Sequence, residues 1–261
     1  MKIHVRIINL ERSTVRKAYM DALLAEYKDI FDIDYVPAID GRLMSESVRE
    51  NVFDYGRSLL HYGRRMNAGE VGCALSHRKC YKEMLDTNDF YCLILEDDVY
   101  VVRDLHQLDI EAIDALANSP KPRVIFLSGD YWYFRKKSLM PVYSAVGAYA
   151  YIINRAAAEL ILSIDKPYSV ADDWMVYKRL GVRLYAVNPY MLDANVNMEL
   201  LSSDVKQDDW GINRKLMSKK EVFVGYLTGA VKKFLKATGK FEYKTNIFEN
   251  KVAPKKTNPF K

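Results

Sequence analysis

The sequence predicts an α/β fold in which the carboxyl ends of the strands carry the chemistry, and three observations lead there. The run Phe90-Tyr91-Cys92-Leu93-Ile94-Leu95 is continuously apolar and rich in β-formers, as a strand buried on both faces of a parallel sheet must be. It ends in three carboxylates, Glu96-Asp97-Asp98, and in open α/β sheets ligands bind outside the carboxyl ends of the strands. Strand-like and helix-like segments then alternate along the chain. Its 261 residues, 49% hydrophobic and 28% charged, suffice for one large α/β domain or two small ones.

The elements follow in order. Residues 2–9 alternate as a strand, and a helix is expected near 12–28. A short strand near 32–37 ends in Pro37-Ala38-Ile39-Asp40-Gly41, before a polar, Arg-rich stretch to Asn67. Gly69 opens a helix running to about Leu85, and the acidic strand comes next. Further strands are expected at Val124–Leu127, Tyr143–Ile153 and Val182–Val187, with helices at Arg155–Ser163 and Val170–Leu180. This order implies a sheet of largely parallel strands. No internal repeat is present.

Charge divides the chain. Residues 214–261 hold thirteen Lys or Arg against three Glu, a formal +10, so the remainder carries −5 of the net +5. Residues 1–213 therefore read as the folded domain and 214–261 as a basic extension that meets an anionic surface. Within it Phe223, Leu227, Val231, Phe234 and Leu235 fall near helical spacing among Lys219, Lys220, Lys232, Lys233 and Lys236. That pattern fits an amphipathic helix lying on anionic lipid, or an ordinary surface helix. Nucleic acid is disfavoured, because the acidic body offers no matching basic face. Three cysteines, Cys73, Cys80 and Cys92, are odd in number and set in apolar contexts, which reads as reduced thiols. With no hydrophobic leader and no run of membrane-spanning length, a cytoplasmic location is expected.

Several constellations carry candidate chemistry. Strand alternation puts Glu96 and Asp98 on one face and Asp97 on the other. Three adjacent acids repel one another unless solvent or a cation neutralises them, and Mg²⁺ or Mn²⁺ suits such a cluster together with substrate phosphates. A solvated acidic turn is the alternative. Asp172-Asp173 stand at a helix start, where acids cap; one of them otherwise serves as a general base toward a hydroxyl nucleophile. Cys73, His77 and Cys80 share a helix face, but three ligands without a second Cys pair favour core packing over zinc. Gly129-Asp130-Tyr131-Trp132-Tyr133-Phe134 offers aromatic faces suited to sugar rings or to the core. No G-x-x-x-x-G-K, G-x-G-x-x-G or G-x-S-x-G is present, which argues against P-loop, dinucleotide and serine-hydrolase chemistries.

Four blocks, in order, resemble glycosyltransferase family 25, the lipooligosaccharide and lipopolysaccharide glycosyltransferases related to collagen galactosyltransferases. They are Asn9-Leu10-Glu11-Arg12-Ser13 with Arg16, Ala38-Ile39-Asp40-Gly41, Gly69-Glu70-Val71-Gly72-Cys73-Ala74-Leu75-Ser76-His77, and Leu93-Ile94-Leu95-Glu96-Asp97-Asp98-Val99. Weaker likeness continues through Gly147-Ala148-Tyr149-Ala150-Tyr151 and Asp172-Asp173-Trp174 to Ser203-Asp204. The resemblance implies a GT-A type fold and an inverting transfer of a hexose from a UDP-sugar. The expected acceptor is a sugar hydroxyl of lipooligosaccharide or lipopolysaccharide, and the expected sugar is galactose before glucose, a choice that no residue decides. It makes Glu96-Asp97-Asp98 the D-x-D-like element, with Asp98 and Glu96 on a Mn²⁺ or Mg²⁺ ion and Asp97 on the ribose. Asn9, Leu10 and Arg16 would line the nucleotide site, and Asp173 or Asp172 would be the base. No His follows His106, so a second metal ligand from the later half must be an acid or amide such as Asp193, Asn195 or Asn197. The same resemblance implies an enzyme peripheral on the cytoplasmic face of the inner membrane, acting on a lipid-linked acceptor. A non-catalytic nucleotide-sugar-binding module and a metal-dependent phosphohydrolase are the competing readings.

Overall fold

The computed structural model describes residues 2–129, 131–133, 138–194 and 212–238, and the backbone of 242–243. In chain order the elements are β1 (Ile3–Asn9), α1 (Thr14–Leu23), β2 (Phe31–Pro37), α2 (Glu46–Val52), α3 (Tyr55–Tyr62), α4 (Ala68–Leu85), β3 (Tyr91–Glu96) and β4 (Val99–Val101). There follow α5 (Ile110–Ala117), β5 (Arg123–Phe126), β6 (Tyr131–Tyr133), β7 (Leu139–Ala145), β8 (Ala150–Asn154), α6 (Arg155–Leu162), α7 (Trp174–Leu180), β9 (Arg183–Val187), β10 (Leu192–Ala194), α8 (Lys219–Ala237) and β11 (Glu242–Tyr243).

Among the described residues nine strands form one sheet in the order β11-β6-β7-β9-β5-β8-β3-β1-β2, and β4 pairs with β10 in a separate ribbon. The expectation of an α/β fold with a mostly parallel sheet holds. Six of the nine strands (β1, β2, β3, β5, β6 and β9) run in one direction, with β7, β8 and β11 against them. Strand β3 lies between β1 and β8 and is covered on both sides. Cys92 and Ile94 pack toward α4, α6 and α7, while Leu93 and Leu95 pack toward α1 and α5.

The structure redraws several boundaries. The expected helix near 12–28 ends at Leu23 and passes into a 3-10 turn at Ala25–Tyr27. The Arg-rich stretch holds α2 and α3, and α2 buries none of its residues, so no apolar stripe marked it. The single strand expected at Tyr143–Ile153 is two. Gly147 at φ +80° turns the chain between β7 and β8, and a Cβ there would sit 2.4 Å from the Tyr149 ring.

Two sequence blocks meet backbone to backbone. Helix α4 starts with a reciprocal capping box, Asn67 Oδ1 accepting from Glu70 N (2.9 Å) and Glu70 accepting from Asn67 N (2.8 Å). Its first turns lie against Ile39-Asp40-Gly41. A Cβ on Gly72 would stand 2.5 Å from the Ile39 carbonyl oxygen, and one on Gly41 would overlap the Ala68 carbonyl oxygen. Ser76 Oγ seals the junction by accepting from Ile39 N (2.8 Å) and donating to Gly72 O (2.7 Å). Gly72→Ala is therefore expected to lower stability by about 2 kcal/mol, a fall in Tm of roughly 4–8 °C, although Ala is intrinsically the better helix former. Gly229→Ala in α8, where an added Cβ meets nothing within 4 Å, is the control and should raise Tm slightly. Equal behaviour of the two in a thermal melt would refute the close-packing account.

Candidate active site

The parallel strands β2, β1 and β3 open at their carboxyl ends into a solvent-open cleft. Leu10 and Arg16 line one wall, Asp40, Gly41 and Arg42 another, and Cys73 and His77 of α4 a third, with Glu96, Asp97 and Asp98 across the base. Register explains the convergence. Ile8 pairs with Glu96, so the next residues, Asn9 at the end of β1 and Asp97 just past β3, become neighbours.

The three acids have three environments. Asp97 turns toward α1, where Asn9 Nδ2 donates to its Oδ2 (2.6 Å) and Arg16 Nη1 to its Oδ1 (2.8 Å). Burial still pushes its carboxyl above the usual range, outweighing Arg16 and Asn9. Glu96 turns the other way, toward α4, as alternation requires, and its Oε1 lies 3.2 Å from His77 Nε2. His77 Nδ1 is 2.7 Å from the Tyr151 hydroxyl, which is 2.7 Å from the Tyr81 hydroxyl. One proton arrangement satisfies the whole chain: Tyr81 donates to Tyr151, Tyr151 to Nδ1, and Nε2–H to Glu96. Asp98 lacks such support. Its Oδ1 is buried with no hydrogen-bond partner among the described residues, and burial followed by the charges of Glu96 and Asp97 pushes its carboxyl up to about 7.

That orphaned oxygen is a donor a cation could use, and carboxylate oxygens are the donors that Mg²⁺ and Mn²⁺ prefer. The acid cluster therefore fits a hard divalent ion. Cys73, His77 and Glu96 also place donor atoms within 4.8 Å of one another. Cys80, once grouped with Cys73 and His77, lies in the apolar core instead. Burial and then the charges of Glu96, Asp172 and Asp98 keep the Cys73 thiol protonated.

Asp172 and Asp173 part company. Asp173 caps α7 by accepting from Val176 N (3.3 Å), and its Oδ2 accepts from the Tyr62 hydroxyl (2.7 Å) and lies 2.9 Å from His61 Nε2. Burial works against its charge, but these partners hold its carboxyl below the ordinary range. Asp172 Oδ2 accepts from Gly147 N (3.1 Å), and Trp174 Nε1 donates to Gly147 O (2.8 Å). Burial, then the charges of Glu96 and Asp173, raise the Asp172 carboxyl. Neither lines the cleft, but Asp172 feels the charge of Glu96, whereas Asp173 serves the α3–α7 junction. Asp193 in β10 accepts from the Tyr149 hydroxyl (3.1 Å) and does not line the cleft; Asn195 and Asn197 lie outside the described residues.

Sequence reasoning missed the Asp40 pair and the role of His77. Arg42 Nε donates to Asp40 Oδ1 (2.9 Å) and Arg12 pairs with Oδ2, which holds the Asp40 carboxyl down to about 2. The A-I-D-G block was the available signal for the first. The spacing of His77 from Cys73 placed it on a face, but not on the face toward the acids.

Fold and site together define an α/β protein with an acid-floored cleft at the ends of its parallel strands. A match to glycosyltransferase family 25 (LPS biosynthesis protein) covers residues 2–176, and the chain belongs to that family. It is 35% identical over 104 residues to a glycosyltransferase 25 family member of Anopheles gambiae, covering 37% of this chain and 16% of that protein. To procollagen galactosyltransferase 1-B of Xenopus laevis it is 32% identical over 124 residues, covering 42% and 20%. To a probable inactive glycosyltransferase 25 family member 3 of Rattus norvegicus it is 33% identical over 101 residues, covering 36% and 17%. The chain thus spans about a fifth or less of the length of these relatives. Among solved structures, a glycosyltransferase involved in glycosylation of the major capsid of PBCV-1 superposes with a TM-score of 0.43 at 14% identity, over 77% of this chain and 95% of that one. The galactosyltransferase LgtC, in complex with donor and acceptor sugar analogs, gives 0.41 at 10%, over 75% and 87%.

Proposed function

We propose that this protein is an inverting glycosyltransferase that moves a hexose from a UDP-sugar to a sugar hydroxyl of lipooligosaccharide or lipopolysaccharide. The observation that carries the reading is the division of labour at the end of β3, where Asp97 is clamped by Asn9 and Arg16 while Asp98 keeps a buried oxygen without a partner. Galactose is the first donor sugar and glucose the second, by analogy with the procollagen galactosyltransferase relative. Residues 1–213 carry the transfer site and 214–261 the membrane-facing extension, on the cytoplasmic face of the inner membrane.

Each residue has a task. Leu10 and Arg16, which line the cleft, receive the nucleotide, while Asn9, expected there too, is buried behind the cleft and holds Asp97. Asp97, oriented by Asn9 and Arg16, accepts from a ribose hydroxyl. Asp98 and Glu96 would hold Mn²⁺ or Mg²⁺, which when bound supplies positive charge to the diphosphate and to the leaving UDP. His77 fixes the rotamer of Glu96 through Nε2. Asp172 takes the proton of the acceptor hydroxyl as that oxygen bonds to the anomeric carbon and the bond to UDP breaks on the opposite face, which inverts the centre.

The test is UDP release from a panel of UDP-sugars, with and without Mn²⁺ and with a truncated lipooligosaccharide acceptor. Acceptor-stimulated, metal-dependent release with UDP-galactose is expected. Phosphate release without acceptor would replace this reading with a phosphohydrolase, and donor binding without turnover across the panel would replace it with a binding module.

A further inference from the structure

Helix α8 forms as the spacing suggests, yet its largest apolar side chains face away from the protein. Phe223, Tyr226, Leu227 and Phe234 are 66%, 65%, 53% and 69% exposed. They stand at i, i+3, i+4 and i+11, which makes one stripe along the helix, about 17 Å long. The opposite side is the one that packs. Glu221 pairs there with Arg179 (3.0 Å) and His61 (3.2 Å), the Lys232 ammonium lies 5.7 Å from the Trp132 ring, and Val231 and Leu235 are half-buried. The helix start is anchored as well, Ser218 N donating to Leu60 O (2.8 Å) and Asn213 N to Gly63 O (3.1 Å).

Charge identifies the occupant. Lys219, Lys220, Lys233 and Lys236 are exposed around the stripe, and Arg214 sits beside Tyr226 with its guanidinium 5.7 Å from that ring. Glu221, the one acid of α8, is turned inward, so the outward surface of the helix is apolar and cationic with no carboxylate of its own. A second copy docking on this stripe would set lysine rim against lysine rim without a compensating acid. A bilayer rich in anionic headgroups satisfies both features, accepting the aromatic stripe at the acyl boundary and the lysines among the phosphates. Among the described residues no helix is long and apolar enough to cross a membrane, so the contact is one of lying on the surface.

We infer that α8 binds in the plane of an anionic membrane through Phe223, Tyr226, Leu227 and Phe234, with Lys219, Lys220, Lys233 and Lys236 on the headgroups. This deepens the proposed membrane location and does not depend on the catalytic reading. The full chain is floated with vesicles of phosphatidylcholine alone or mixed with phosphatidylglycerol, at low and high salt. Binding only to the mixed vesicles, weakened by salt, is expected. The combined Phe223→Ser, Leu227→Ser, Phe234→Ser variant and the combined Lys219→Glu, Lys220→Glu, Lys233→Glu variant should each bind at least about tenfold more weakly. All six positions are exposed, so both variants should keep wild-type circular dichroism and wild-type UDP release with a soluble acceptor. Equal binding to neutral vesicles, or undiminished binding by either variant, would overturn the inference. So would a concentration-dependent dimer abolished by the serine variant in a protein that ignores vesicles. Vesicle binding as expected in a protein that turns over no UDP-sugar would sink the catalytic reading and leave this one standing.

Discussion

Asp98→Asn is expected to abolish metal-stimulated turnover, by about 10³-fold or more, while leaving the metal-free protein at least as stable as wild type. The two effects have one cause. Asp98 is buried beside Glu96 and Asp97, its Oδ1 has no partner, and its carboxyl titrates near 7. A carboxyl raised in the folded state binds its proton more tightly there than in the unfolded chain. It therefore lowers stability as pH rises from the ordinary carboxylate value through about 7. Removing the charge removes that cost, and the metal-free variant should show a flatter dependence of Tm on pH over the same window. Wild type, by contrast, gains from an ion that binds only the folded state, about 2.7 kcal/mol at a hundred times Kd. Thermal melts with and without Mn²⁺ read this directly. The Mn²⁺-dependent rise in Tm should be present in wild type and missing in Asp98→Asn. A variant that keeps both the rise and the turnover would remove Asp98 from the ion. A variant that melts well below wild type without metal would make Asp98 a structural residue.

Much of this site was legible because its logic is local. The apolar run 90–95 announced a doubly buried strand, and the period of two put Glu96 and Asp97 on opposite faces before any partner was known. The structure supplies those partners as His77 on one side and Arg16 on the other. What stayed hidden is non-local. Nothing in residues 143–154 says that β8 inserts antiparallel between β3 and β5, since that pairing depends on strands far apart in sequence. The break at Gly147 lies inside an apolar stretch that reads as one strand. Helical spacing grouped Cys73, His77 and Cys80, but the rotation of α4 about its axis decides that Cys73 and His77 meet the acids while Cys80 meets the core. Adjacent aspartates at a helix start are equivalent to periodicity. His61 and Tyr62, which distinguish them, come from α3, more than a hundred residues away in sequence.

Those two aspartates give the second large expectation. Asp172→Asn should lower turnover by about 10²- to 10⁴-fold with UDP-sugar binding retained, the loss expected when a positioned general base is removed. Burial and the charges of Glu96 and Asp173 raise the Asp172 carboxyl. A base acts deprotonated, so kcat should climb with pH through a value above the ordinary carboxylate range, and the residual activity of Asp172→Asn should lose that limb. Asp173→Asn should behave in the opposite way. Its carboxylate accepts from Tyr62 and caps α7 while facing His61, so the substitution is expected to cost about 2–3 kcal/mol of stability and to spare turnover per folded molecule. The sign in pH is fixed as well. Asp173 is held below the ordinary range, so its contribution is complete above the unfolded carboxylate value and disappears as pH falls through the lower folded value. Tm of wild type and variant should therefore converge in acid. If Asp173→Asn instead silences turnover at an unchanged Tm, and Asp172→Asn stays active, the two residues exchange roles. The acceptor would then enter beside His61 and Tyr62 rather than beside Glu96 and Gly147.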